Sequence, residues 1–451
     1  MRTPIFDFVD RYAQSEDLRL HMPGHKGVGA LGVERLDITE IEGADVLYGG
    51  SGIIRESEEN AATMFGAART LYSTEGSSLS IRGMLYLALL WGKREGRAPV
   101  IAAGRNAHRA FMTAAGLLDF EIAWLYPEGE ESLLSCTVTP TALERFLASR
   151  KPLPAAVFVT SPDYLGNLAD VRGLAAVCHR YGVPLLVDNA HGAYLNFLPE
   201  SRHPIALGAD LCCDSAHKTL PVLTGGGYLH LSRRVPPEIA QQAERAMSLF
   251  ASTSPSYLIL QSLDLANRYL AEGYRQRLCA FAESVRALKE ALAVYGYSLT
   301  GDEPLKLTVC PKSFGYTGDA LAERLADEGI VCEFSDRDYC VMMLTPEVGE
   351  AGLSRLERAL LSLKKRPPIE GAPPAFFTPR VRLSLREALL MPRKSLPAAA
   401  CLGRTLASAT VSCPPAVPIL VAGEVVTPEA LSLFAYYGIE ALSVTDEGEI
   451  T

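Results

Sequence analysis

The sequence predicts an α/β protein: a large domain built on a mainly parallel sheet, followed by a smaller α+β C-terminal domain. Three observations carry this prediction. Short apolar runs of strand length alternate with helix-length amphipathic stretches between residues 78 and 231. The alternation gives way to mostly helical spacing over Pro236–Tyr295, and mixed short strands and helices follow. The length, 451 residues, suits two domains rather than one.

Taken in order, Ser78–Lys93 reads as a helix because its apolar positions recur at helical spacing. Pro99–Ala103, Ala155–Thr160, Pro184–Asp188, Asp210–Cys213 and Gly227–Leu231 have the length and apolar content of buried strands. Ala107–Leu118, Thr141–Ser149 and Val171–Tyr181 are the helices between them, so βαβ units and a sheet covered on both faces are expected. Further on, Lys306–Cys310, Val331–Phe334 and Cys340–Leu344 read as strands, and Gly318–Glu328 and Ala351–Lys364 as helices. The Pro-rich Lys365–Pro379 reads as a linker. Residues 1–54 are expected to form an N-terminal arm, 55–295 the large domain and 296–451 the small one.

Composition narrows the function classes. Hydrophobic residues make up 48% and charged residues 21%, which excludes a largely disordered chain. With 43 Lys and Arg against 52 Asp and Glu, the net charge is −9, so the charge balance gives no global electrostatic drive toward nucleic acid or an anionic membrane, and neither is an expected partner. The short basic run Lys364-Lys365-Arg366 ends a helical stretch, where cations are favoured anyway. Leu85–Trp91 and Ala416–Ala422 are too short to span a bilayer. The N-terminal residues show no apolar signal-peptide core. Ten cysteines without a C-x-x-C, with Cys212 and Cys213 inside an apolar run, point to buried free thiols and no metal framework. A soluble cytoplasmic protein is expected.

The chemistry-bearing residues sit where the strands end. Asp188 terminates the apolar run Pro184–Val187, the place where open α/β sheets present ligand groups. A cap or turn aspartate is the ordinary alternative. Lys218 follows the strand Asp210–Cys213, beside Ser215 and His217 and ahead of Gly225-Gly-Gly227. A lysine near a buried strand end is costly unless paired, deprotonated or covalently used, although taken alone Ser215-Ala-His-Lys218 reads more simply as a surface lysine. Together the two fit a pyridoxal 5'-phosphate site, the Asp holding the pyridine nitrogen protonated and the Lys forming the Schiff base. A phosphate cradle is available at Gly76-Ser77-Ser78, which opens a helix, although either serine alone would be read as an N-cap. His108 follows the strand Pro99–Ala103, where an imidazole can stack on a flat ring or simply occupy a loop.

This set resembles the Orn/Lys/Arg decarboxylase group of fold-type-I pyridoxal phosphate enzymes, in the short form without an N-terminal wing domain. His21-Met-Pro-Gly-His-Lys-Gly27 is similar to the group's opening signature, continued by Asp37–Glu40, Gly43–Asp45 and Glu56–Ala68. Ser161–Gly166, Asp188–Gly192 and Ser215–Leu220 follow in order and spacing. Gly403–Ala407 and Cys413–Pro418 through Glu424 resemble its small-domain motif. The resemblance covers essentially the whole chain, and its specificity lies in the ordered set.

By this resemblance Lys218 is the cofactor-bonding lysine, Asp188 the pyridinium partner and His108 the residue stacked on the ring. Ser77, Ser78 and Ser215 hold the phosphate, His217 lies beside the reacting carbon, and His191 lies beside the cofactor. His21 and His25 are spaced i, i+4, but Pro23 and Gly24 break the helix that a metal pair would need. Departures from the group's pattern occur at Asn189, where Glu is usual, at Asp163, where Thr is usual, at Thr224-Gly225 and at Pro414-Pro-Ala-Val-Pro418. The activity implied is decarboxylation of arginine, lysine or ornithine, with Lys218 or His217 returning the proton to Cα. Glu424 and Asp163 are candidate partners for the substrate cation, and ordinary solvated carboxylates are the alternative. A small basic amino acid is the expected ligand, and a homodimer or higher homo-oligomer the expected assembly. An aminotransferase or lyase on the same fold, or a non-catalytic regulatory homologue, are the competing readings.

Overall fold

The computed structural model describes residues 1–127, 136–375, 377–413 and 417–446. Phe376 of the linker and Pro414, Pro415 and Ala416 of the C-terminal motif therefore lie outside the described residues. The chain divides into two compact units. The first comprises Met1–Ala98, Ala155–Val157 and Val171–Cys279, and the second Pro99–Pro154, Phe158–Asp170 and Ala280–Thr451.

Seven strands, β1 (Arg69–Ser73), β2 (Ala98–Gly104), β3 (Glu121–Leu125), β4 (Pro154–Thr160), β5 (Leu185–Asp188), β6 (Leu211–Asp214) and β7 (Gly227–Leu231), run in the order β1-β7-β6-β5-β4-β2-β3. β4 is shared, its Ala155–Val157 belonging to the first unit. β5 pairs parallel with β6, and β2 with β3, while β7 is antiparallel to both β1 and β6. Continuous apolar runs are what a sheet buried on both faces requires: Leu185, Leu186 and Val187 of β5 are fully buried. Each such side chain contributes roughly 1.5–3 kcal/mol on burial. The predicted strands thus appear within about a residue or two of their expected bounds. β1 and β3 were not anticipated, because each is short and mixes polar with apolar residues.

The expected arm contains one helix, α1 (Pro4–Gln14), and a second, α2 (Gly52–Phe65), begins at its end and takes in the first ten residues of the Glu56–Ala68 motif. Ile5, Val9 and Ala13 recur at one-turn spacing and are buried, so α1 packs against α2 and the helix Tyr257–Ala271. Its N-terminal N–H groups at Ile5 and Phe6 donate to Asp264 at 2.9 and 3.0 Å, a carboxylate where the helix dipole favours one. α3 (Gly76–Arg94) crosses under β6 and β7 and delivers its N-terminus to their ends.

In the second unit, β8 (Ser298–Thr300), β9 (Lys306–Cys310), β10 (Phe334–Ser335) and β11 (Cys340–Met343) form an antiparallel sheet in the order β10-β11-β9-β8. The strand expected at Val331–Phe334 is shorter and later, since Val331 is almost fully exposed and only Phe334 and Ser335 pair with β11. Two further antiparallel pairs, Arg393–Pro397 with Ala441–Thr445 and Thr410–Cys413 with Val417–Val421, enclose a core that includes Leu406, Ile419, Leu433, Phe434 and Val444. Among the described residues, no helix is long and apolar enough to cross a membrane.

Candidate functional site

The register of the first unit aligns four strand ends. Ser73 pairs with Gly227, Tyr228 with Asp214, and Cys213 with Asp188. The C-terminal ends of β1, β5 and β6 and the start of β7 therefore meet along one edge, and most of the predicted chemistry lies there.

The N-terminus of α3 forms one wall. Ser215 Oγ donates to Ser77 Oγ at 2.8 Å, so two hydroxyls from distant segments converge in front of the first turn of a 19-residue helix. Ser78 follows in that turn, half-buried. Ser73 Oγ donates to the Gly76 carbonyl at 2.8 Å, and the Gly76 N–H donates to Gly225 O at 2.6 Å, which fixes the loop that opens the helix. Glycine is needed behind it: a Cβ on Gly227 would lie 2.9 Å from Asp214 O and 3.3 Å from the Ser77 nitrogen. Gly225, one of the departures, has φ +100°, and a Cβ there would lie 2.8 Å from Thr74 O. This is a cradle of backbone N–H groups, short hydroxyls and a helix N-terminus, the donor set that suits a phosphate dianion.

Asp188 ends β5, 2% exposed, and its Oδ1 accepts from the Ala190 N–H at 3.1 Å and the Cys213 thiol at 3.6 Å. Lys218 lies in the short helix Ala216–Thr219 after β6, and its Nζ is 2.9 Å from His191 Nε2. His217 Nδ1 donates to Gly226 O at 2.9 Å, which leaves Nε2 as the nitrogen able to exchange a proton. One edge thus carries an amine, a buried carboxylate, two imidazoles and an anion cradle, the complement that pyridoxal phosphate requires.

Asp188, His191, Ser77, Ser78, Ser215, His217 and Lys218 all belong to the first unit, whereas His108 belongs to the second. There His108 caps the helix Arg109–Leu118, its Nδ1 accepting the Ala110 N–H at 3.1 Å. Also in the second unit, Asp163 accepts from Asn167 N–H at 2.8 Å and Nδ2 at 2.7 Å, closing its own loop, and burial pushes its carboxyl above the usual range. Glu424 is not a solvated carboxylate: it is 1% exposed and bound to Arg105.

Sequence reasoning missed the cluster beneath the edge. Asp214 Oδ1 accepts Asn189 Nδ2 at 2.7 Å, and its Oδ2 faces His203 Nε2 at 3.0 Å and His230 Nε2 at 3.2 Å, all fully buried. Burial alone would raise the Asp214 carboxyl, but the two imidazoles overcome it and hold it well below the ordinary range. Burial pushes His230 down. Because His203 Nδ1 accepts the Ile205 N–H, its Nε2 carries the proton and donates to Asp214 rather than offering a lone pair to a metal. Asn189 was visible in the sequence as a departure, but its partner 25 residues away was not.

Comparison with known proteins bears on the family and the fold. The family model described as Orn/Lys/Arg decarboxylase, major domain, matches residues 3–295. An arginine decarboxylase of Halalkalibacterium halodurans is 30% identical over 96% of this chain and 92% of its own length. An arginine decarboxylase of Bacillus subtilis is 28% identical over 95% and 92%. The Francisella novicida lysine decarboxylase LdcF superposes with a TM-score of 0.78 at 16% identity, covering 98% of this chain and 81% of that one. A Sphingomonas wittichii serine palmitoyltransferase superposes with a TM-score of 0.53 at 17% identity, covering 69% and 76%. The structural likenesses establish the fold, that of the fold-type-I enzymes, and with the family model spanning well over half of its length this chain belongs to the Orn/Lys/Arg decarboxylase family.

Proposed function

We propose that this protein is a pyridoxal 5'-phosphate-dependent decarboxylase of a basic amino acid, with arginine the leading substrate and lysine and ornithine the others to be tested. The observation that supports it most is the convergence of Lys218, Asp188 and the Ser77–Ser215 cradle on one edge of the sheet. Arginine leads because relatives alike over nearly their whole length carry that activity in their names, whereas the lysine decarboxylase structures are alike in fold.

Bound pyridoxal phosphate would supply the electron sink for the carbanion that loss of carbon dioxide leaves at Cα. The chain's own residues do the rest. Ser77, Ser78, Ser215 and the first N–H groups of α3 hold the phosphate. Asp188, buried at its strand end, keeps the proton on the ring nitrogen. Lys218 supplies the amine that anchors the cofactor, and His191, 2.9 Å away, orients that amine. His108 is the residue for the ring face. The proton returned to Cα comes from Lys218 or from His217 Nε2, the latter held by the Nδ1 bond to Gly226. The active assembly is a homodimer or larger, since sites of this fold are completed between subunits.

The test is turnover of arginine, lysine and ornithine by cofactor-saturated protein, measured as carbon dioxide release and amine product. Amine formation with one preferred substrate, absent in Lys218→Ala, is expected. A keto acid product would replace this reading with an aminotransferase, and no turnover with any of the three would replace it with a regulatory role.

A further inference from the structure

From the hydrogen bonding beneath the site, we infer that the Asn189–Asp214 pair is a positioning device that sets the spacing between the ring-nitrogen anchor and the phosphate and lysine anchors. This inference rests on the functional reading above.

Asp188 is carried by β5, whereas Ser215 and Lys218 follow β6, and only three register pairs join the two strands. Just past that pairing, the Asn189 N–H donates to Cys213 O at 2.9 Å, and Asn189 Nδ2 donates to Asp214 Oδ1 at 2.7 Å. The residue after Asp188 is thereby tied to the residue before Ser215. Asp214 is itself immobilised. His203 and His230 hold its other oxygen, the Cys212 thiol approaches Oδ1 at 3.6 Å, and Thr70 Oγ1 of β1 lies 2.8 Å from His230 Nδ1. The network reaches from β1 through β7 and β6 to β5, so it fixes the strand whose end bears Asp188 against those bearing the cradle. Asn189, Asp214, His203 and His230 are all fully buried, and water cannot replace a lost bond.

The pair also has a sense. Asp214 is an acceptor towards its two histidines, so residue 189 must offer a donor, and Asn does. A carboxylate at 189 would put like charges in hydrogen-bond contact. An isosteric exchange tests this. Asn189→Asp sets two carboxylates face to face, and Asp214→Asn removes the charge that the histidines hold. The double variant restores one donor and one acceptor at unchanged volume: the Asn at 214 accepts from the histidines and donates to the Asp at 189.

Dissociation of pyridoxal phosphate, followed by fluorescence titration of the apoprotein, is the primary readout, with kcat and KM measured separately. The expected result is a loss of cofactor affinity of about tenfold or more and a fall in kcat in each single variant. KM should change little, and the double variant should return both to within about threefold of wild type. Asn189→Ala, which deletes the donor without adding charge, covers the case in which Asn189→Asp does not fold; it should weaken the cofactor about fivefold or more. Wild-type affinity in Asn189→Ala and in the soluble single variants, or losses that simply add in the double variant, would overturn the inference. Failure of the wild-type chain to bind pyridoxal phosphate would instead overturn the functional reading.

Discussion

Arg105 grips Glu424 through two parallel hydrogen bonds, Nη1 to Oε1 at 2.8 Å and Nη2 to Oε2 at 2.7 Å, with both side chains excluded from water. The Val421 N–H adds a third bond to the carboxylate at 2.8 Å, and the guanidinium lies over Trp124, 4.7 Å from the ring centroid. Both oxygens of this carboxylate are thus engaged within the second unit, by Arg105 and by the Val421 N–H. Removing one member strands the other in the core, so Glu424→Ala should cost about 3–5 kcal/mol of stability. The exposed pair Arg286–Glu290 offers a control, since Glu290→Ala should change stability by no more than about 0.5 kcal/mol. Denaturant midpoints of the two variants make the comparison.

A methyl group placed behind the cradle should damage it selectively. Gly227→Ala forces its Cβ against Asp214 O and the first turn of α3. Overpacking of this kind costs about 1–3 kcal/mol, so affinity for pyridoxal phosphate should fall roughly 5- to 150-fold. Pyridoxal, which lacks the phosphate, should be affected far less. Equal losses for both ligands would show that the cradle does not serve the phosphate.

Stability should depend on pH through Glu58. Burial pushes its carboxyl up to about 8 from an ordinary 4.5, against the opposing bond from the Tyr72 N–H at 2.9 Å. The folded state therefore holds a proton that the unfolded state releases, and this contribution is fully present below the unfolded value. It is lost as pH rises towards 8, with a limiting slope of about 1.4 kcal/mol per pH unit. Glu58→Gln keeps the acceptor and removes the titration, so its stability relative to wild type should improve steadily from pH 5 to pH 8. A parallel pair of stability curves would contradict the assignment.

His217 is poised differently from the other imidazoles, since its Nδ1 is committed to Gly226 O and only Nε2 is left for chemistry. His217→Asn should lower kcat by about 10²–10⁴-fold while leaving cofactor affinity within a few-fold. Loss of the cofactor in that variant would make His217 a binding group instead.

Much of this was legible in the sequence because it is local. Apolar runs ending in Asp188 and in Cys213-Asp214 mark strand ends, and a serine pair opening a helix marks the cradle, so each could be read within a dozen residues. What escaped was non-local. Arg105 and Glu424 lie 319 positions apart, and nothing near either residue signals a buried ion pair. The same holds for His203, Asp214 and His230, whose meeting depends on strand order, and β7 running antiparallel between β1 and β6 could not be read from its composition. Asn189 and Gly225 stood out as departures, but only the geometry supplies their reasons: a donor facing Asp214, and a left-handed turn against Thr74 O.

Everything proposed for the site depends on Lys218 carrying pyridoxal phosphate. The direct measurement is the visible absorption spectrum of cofactor-saturated protein before and after borohydride, followed by peptide mapping of the reduced product. The expected result is a visible band that borohydride abolishes, the cofactor's mass fixed on the peptide containing Lys218, and no such band in Lys218→Ala. A protein without the band, or with the label on another lysine, would contradict it.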